Sequence, residues 1–199
     1  MKPLELWKII LDSAGLDSEP GILSRLSTYQ EWLATEGVAG GGISPGDVDR
    51  LADRHIGDSL LYSLVIEAPT SILDVGSGIG LPGIPLAIVY PAATIVCLDR
   101  SGRRADLANR AIRVLELDNV EAVQGEVEGL TSRYPTIVSR AAIPPERFRP
   151  ILREILAPGG RAVLGGSWKT PPIHSGFETI EIGSEILRQP VWILKMSAT

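Results

Sequence analysis

Four glycines crowd into the stretch Ile72-Leu73-Asp74-Val75-Gly76-Ser77-Gly78-Ile79-Gly80-Leu81-Pro82-Gly83, directly after an apolar run. Such a stretch leaves few folds open. A short strand must end at Gly76, turn tightly through Gly78 and Gly80, and pass the chain to a helix near Pro82. Glycine supplies the positive φ that the turn demands and leaves no Cβ between backbone and ligand. Proline suits the first turn of a helix, where its missing N–H breaks no bond.

The surrounding rhythm extends this to the whole chain. Short apolar runs at 71–75, 94–98, 120–123, 136–139 and 161–164 alternate with helical patterns from Gly83, over 103–117 and over 145–156. Continuous apolar strands joined by helices predict a parallel sheet covered on both faces. Segments 177–182 and 191–196, after Pro171-Pro172, predict a closing antiparallel pair. Before Ser71, apolar residues recur at helical spacing from Leu4 to about Thr35, with a break at 17–21, and again from Asp47 to Ile66. The glycines between 37 and 46 predict a mobile loop. The expectation is an α/β fold: a doubly wound, Rossmann-like sheet over residues 67–199, preceded by a helical cap over residues 1–66. A chain of 199 residues, 44% of them apolar, has the size and core material for one domain so decorated.

Composition removes several function classes. A net charge of -5 argues against binding nucleic acid by overall charge, although 15 of the 19 cations are arginine, the residue suited to planar, bidentate contacts. Cys97 stands alone and can form neither an internal disulfide nor a thiolate zinc cluster. With His55 and His174 the only histidines, no metal site is expected. The N-terminal apolar stretch is interrupted by Glu5, Lys8 and Asp12 and lacks a signal-peptide core. No run approaches the roughly 18 apolar residues that span a bilayer. These features predict a cytoplasmic chain without a membrane partner.

Two cofactor readings fit the glycine turn. Gly76-x-Gly78-x-Gly80 is the spacing of methyltransferases that use S-adenosylmethionine, and Gly78-x-Gly80-x-x-Gly83 formally matches the dinucleotide fingerprint. Asp99, the acid at the end of the second strand, suits the ribose hydroxyls of either cofactor. Asp74 favours the methyltransferase reading, because an acid there can help hold a positively charged amino acid moiety. No later His or Lys is placed for hydride chemistry, which points the same way.

These residues resemble one family closely: the GidB/RsmG type of methyltransferase, which methylates N7 of a guanine in small-subunit ribosomal RNA. The resemblance runs from about Tyr29 to Leu164. It rests on Arg54-His55-Ile56-Gly57-Asp58-Ser59-Leu60, on the run 73–85, on Leu98-Asp99 followed by Gly102-Arg103-Arg104, and on Ser139-Arg140-Ala141. It implies a class I methyltransferase fold, S-adenosyl-L-methionine as cofactor, and small-subunit rRNA or a ribosomal particle as partner. By position it implies that Gly76, Gly78 and Leu81, with Asp74 and Gly80 beside them, line the methionine end of the cofactor. Asp99 would take the ribose, and Val127 and Glu128 the adenine. Arg140 would lie between cofactor and target base, with His55 and Asp58 in the lid. These last three are the candidate catalytic residues. Guanine N7 is an exposed lone pair that needs no general base, so a site built for positioning and water exclusion suffices.

The sequence also departs from the family pattern. Leu33 follows Trp32 where the family carries Asn, Gly42-Ile43-Ser44 stands for Asn-Leu-Thr, and the lysine after strand five is replaced within 164–167, leaving Lys169 as the nearest cation. These changes keep two alternatives open: a diverged relative acting on a small molecule, and a non-catalytic cofactor-binding module. Arg103, Arg104 and Arg110, with Arg100 and Arg113, form either an RNA phosphate-gripping edge or a solvated face paired with Asp106 and Glu116. Arg147, Arg149 and Arg153 read as surface, and Cys97 as buried core.

Overall fold

A computed structural model describes residues 2–166, 168–183, 185–186 and 191–198. Ser167, the last residue of the run that replaces the family lysine, lies outside them. The chain opens with helices α1 (Pro3–Ser13) and α2 (Pro20–Trp32), both begun by proline at the first turn. Residues 45–64 then wind through a 3-10 turn (Pro45–Arg50), a π-helical segment (Leu51–Gly57), the single turn α3 (Asp58–Leu60) and a second 3-10 turn (Leu61–Leu64). A single regular helix was the expectation for this span. Donors from elsewhere in the chain explain the difference. Trp7 Nε1 donates to the Ala52 carbonyl at 2.9 Å, and Arg140 Nη1 to the carbonyls of Arg54 and His55 at 3.3 and 3.5 Å. A widened turn leaves carbonyls turned outward to meet them.

From β1 (Ser71–Val75) the chain alternates strand and helix: α4 (Gly83–Val89), β2 (Thr94–Asp99), α5 (Gly102–Val114), β3 (Val120–Gln124), β4 (Tyr134–Arg140), α6 (Pro145–Ile155) and β5 (Leu156–Gly165). The strands β6 (Glu178–Ile182) and β7 (Val191–Ser197) close it. All seven form one sheet in the order β3-β2-β1-β4-β5-β7-β6. The first five run parallel, and β7 pairs antiparallel with both β5 and β6. The expected strands are therefore all present, with β4 longer than predicted. β5 also starts earlier, crossing an irregularity at Pro158-Gly159-Gly160 before it settles into register with β4.

Strand alternation divides the core between the two faces. Ile72, Ile95, Cys97 and Val138 pack with α1, α2, α4 and α5, whereas Leu73, Val75, Leu98 and Ile137 pack with Phe148, Leu152 and Ile155 of α6. The sheet is thus doubly wound, and the N-terminal helices share one continuous apolar cluster with one of its faces. Trp7 and Tyr29 anchor that cluster, Tyr29 Oη donating to the Ile79 carbonyl at 3.0 Å. Burying each such ring is worth roughly 1.5–3 kcal/mol.

The span 37–46, expected to be mobile, is a packed turn. Gly37 and Ile43 are buried, and the Gly40 carbonyl accepts a hydrogen bond from Arg103 Nη2 at 2.6 Å. A Cβ on Gly40 would meet Leu107 at 2.6 Å. Glycine there serves close approach to α5, not chain freedom.

Candidate active site

Two adjoining cavities open at the carboxyl ends of the parallel strands, where open α/β sheets bind ligands. The larger, about 560 Å³, is walled by Val75 and Gly76 after β1, Leu98 and Asp99 of β2, residues 125–128 after β3, and 140–144 after β4. The smaller, about 290 Å³, lies over the ends of β4, β5 and β7 beneath the π-helical segment. Arg140 and Ala141 line both cavities and form the wall between them.

Asp99 projects into the larger cavity with its carboxylate already aimed. Oδ2 accepts from the Gly78 N–H and Oδ1 from the Ser101 N–H, each at 2.9 Å. The first bond requires the turn to bend back on itself, with φ +60° at Gly78. Val127 and Glu128 stand on the same cavity wall, in a 3-10 turn over Val127–Gly129. Gly76 borders it as well.

Four residues expected at the cofactor do not line this cavity: Gly78, which reaches it only through its N–H bond to Asp99, and Asp74, Gly80 and Leu81. Asp74 is fully buried and accepts the Gly83 N–H at 2.7 Å through Oδ2. Strand alternation puts it on the same face as Ile72, opposite its partner Cys97 in β2 and against α4. It holds the start of α4 through Oδ2, while Oδ1 has no hydrogen-bond partner among the described residues. Burial raises its carboxyl to about 7, against the opposing pull of the Gly83 N–H. Gly80 packs on Ile84, and Leu81 is 5% exposed within the core.

The three candidate catalytic residues do converge, around the smaller cavity. Arg140 is fixed through Nη1 to the carbonyls of Arg54 and His55. His55 and Asp58 line that cavity and not the larger one. Burial and then the Arg140 charge depress the His55 pKa, so the imidazole is neutral at physiological pH, with Nδ1 unpartnered among the described residues. Burial lifts the Asp58 carboxyl to about 6, opposed by Arg54, whose Nε lies 3.7 Å from Oδ2. Asp58 Oδ1 has no hydrogen-bond partner among the described residues.

The arginine edge is split. Arg104 lines the larger cavity, 4.0 Å from Asp99 Oδ2. Arg103 is drawn to Gly40 and shares with Arg110 a separate groove on the outer side of α5. Arg147, read as surface from the sequence, is exposed and also borders the larger cavity together with Arg100. Its place in the first turn of α6, just after β4, was the available signal. Arg149 bonds Ser175, and His174 bonds Glu146, so the segment after β5 is strapped onto α6. Gly165 and Gly166 line the smaller cavity where a lysine was expected. A Cβ at Gly165 would meet Tyr62 Cζ at 2.9 Å, so this packing admits no side chain there. Lys169 is exposed and lines neither cavity.

The family described as rRNA small subunit methyltransferase G (GidB) matches residues 22–180. The chain belongs to this family. The match reaches beyond both ends of the stretch on which the resemblance was read. A ribosomal RNA small subunit methyltransferase G from Frankia casuarinae is 38% identical over 138 residues, 66% of this chain. That alignment spans about half of the Frankia protein, 52%. The same-named protein of Corynebacterium efficiens is 31% identical over 191 residues, covering 87% of this chain and 82% of its own. Among solved structures, magnesium protoporphyrin IX methyltransferase from Synechocystis PCC 6803 aligns with 88% of this chain and 97% of its own at TM-score 0.58 and 19% identity. An RNA methyltransferase from Salinibacter ruber aligns with 78% and 92% at TM-score 0.52 and 20% identity. These likenesses establish the Rossmann-like class I methyltransferase fold.

Proposed function

We propose that this chain transfers a methyl group from S-adenosyl-L-methionine to N7 of a guanine in small-subunit ribosomal RNA. The observation that carries the reading is the pair of cavities divided by Arg140, one shaped for a nucleoside-bearing cofactor and one beside it for an acceptor. Family membership supports the choice of chemistry. The described residues fit the cofactor: a cavity of about 560 Å³ lies within the range of cofactor sites, and Asp99 offers a carboxylate held in place by two backbone N–H groups.

In this reading Asp99 accepts the ribose hydroxyls, Val127 and Glu128 flank the adenine, and Gly76 and Gly78 let the methionine end lie against the backbone. The cofactor supplies an electrophilic methyl on a sulfonium. The chain's own residues hold the acceptor and exclude water. Arg140, pinned to two carbonyls, is a rigid cation on the shared wall. Neutral His55 and Asp58 bound the acceptor side. No residue need remove a proton, since N7 attacks through a free lone pair. Most of the rate then comes from alignment. Residues 1–66 act as the cap and 67–199 as the cofactor-binding domain. The partner is small-subunit rRNA, naked or within a ribosomal particle.

The test incubates the purified chain and radiolabelled S-adenosylmethionine with naked and assembled small-subunit rRNA, and maps label by cleavage at N7-methylguanine. Label at one guanine is expected. Calorimetric binding of the cofactor without label in any rRNA overturns the reading.

A further inference from the structure

We propose that the smaller cavity seats the acceptor base and that the Asp58 carboxylate selects guanine there, accepting its N1–H and 2-amino hydrogens. This rests on the reading just given and adds to it the residue that chooses the base.

The lining of the cavity leads to Asp58. Its charged donors are the guanidinium groups of Arg50, Arg54 and Arg140. Of its side chains, His55 at Nδ1 and Asp58 at Oδ1 hold a buried atom without a partner among the described residues. Tyr62 Oη donates to the Ser139 carbonyl at 2.9 Å, and the Gly165 carbonyl accepts the Ala141 N–H at 2.9 Å. Asp47 is engaged at the mouth with Arg50, 3.8 Å away, and its side chain is 39% exposed. Asp58 combines a side chain 15% exposed, one loose ion pair at 3.7 Å and an oxygen with no partner among the described residues. A carboxylate so set carries a desolvation cost that hydrogen bonds from a ligand would relieve. At neutral pH it is charged, and an ionised carboxylate is acceptor-only.

Guanine alone among the four RNA bases presents two adjacent donors on one edge. Adenine turns a lone pair at N1 toward the same position, and uracil sets acceptors on both sides of its single N–H. A carboxylate therefore attracts the guanine edge and repels the others. Asp58 lines only the smaller cavity, whereas Arg140 and Ala141 line both.

The experiment first maps the labelled guanine in rRNA treated with the wild-type chain. A fragment spanning it is then made with guanine, inosine or adenine at that position, and binding is read by fluorescence anisotropy with the full chain saturated by S-adenosylhomocysteine. Inosine lacks only the 2-amino group. Wild type is expected to bind guanine roughly tenfold more tightly than inosine, and adenine more weakly still. Asp58→Asn is expected to bring guanine and inosine to within about twofold of each other, while binding S-adenosylhomocysteine like wild type in calorimetry. Equal wild-type affinities for guanine and inosine overturn the inference and leave the methylation reading standing. A folded Asp58→Asn chain that discriminates like wild type also overturns it. If no rRNA takes label at the mapping step, the reading beneath the inference falls and the inference falls with it.

Discussion

At the scale of single residues, Asp74 is a carboxylate set inside the core at the start of α4. The side chain is fully buried and its carboxyl is raised to about 7 by that burial. The folded chain therefore holds this proton more tightly than the unfolded chain, whose carboxyl titrates near 4. Its ionisation weakens the fold progressively as pH rises from about 4 to about 7 and adds nothing further above that. Asp74→Asn keeps an oxygen for the Gly83 N–H and removes the ionisation. In urea melts at pH 4.5 and 7.5, wild type should lose about 2–4 kcal/mol relative to this variant across the interval. A constant difference would refute the assignment. Asp99 should behave differently. Asp99→Ala removes the acceptor of the Gly78 and Ser101 N–H groups, and should weaken S-adenosylmethionine binding by about 2–3 kcal/mol in calorimetry with a smaller loss of stability. The sequence made Asp99 legible, because an acid ending the second strand has one natural direction to face. It did not make plain that Asp74 is buried against α4, although the alternation Ile72, Asp74 already set that residue on that side.

At the scale of elements, the start of α4 is the tightest joint. A Cβ on Gly83 would lie 2.9 Å from Asp74 Oδ2 and closer still to Cys97 Sγ. Gly83→Ala should therefore push α4 off β2 and cost about 1–3 kcal/mol, read as a lowered denaturation midpoint. The strands and helices from Ser71 onward were readable because continuous apolar runs and amphipathic spacing leave little choice of element. The winding between Pro45 and Leu64 was not. Over seven residues a π-helical pattern of apolar positions is close to an α-helical one. What separates them is Trp7 and Arg140 taking carbonyls of that segment, and both donors lie far away in sequence. The turn at 37–46 was misread for a related reason. Glycine marks close approach as well as freedom, and only the position of Leu107 decides between them.

At the scale of the whole molecule, a net charge of -5 coexists with arginines gathered at one edge. Arg100, Arg104 and Arg147 border the larger cavity, and Arg50 and Arg54 the smaller. If RNA crosses this edge, Arg147→Ala should weaken binding evenly across sequences and reduce the slope of log affinity against log salt by about one. Arg103→Ala should leave the slope unchanged, since that guanidinium is engaged with Gly40 on the outer side of α5. An unchanged slope for Arg147→Ala would remove this edge from the RNA path. The arginines themselves were plain in the sequence, but their grouping was not, because it depends on three distant chain segments meeting at one end of a sheet.

The sheet order carries one last consequence. β7 is inserted between β5 and β6, and its residues Val191 and Ile193 complete the wall of the smaller cavity. The larger cavity draws only on residues 75–151. During synthesis the N-terminal three quarters of the chain can thus gather the larger cavity while the smaller one still lacks a side. A chain growing on a ribosome would complete the larger cavity before the smaller one.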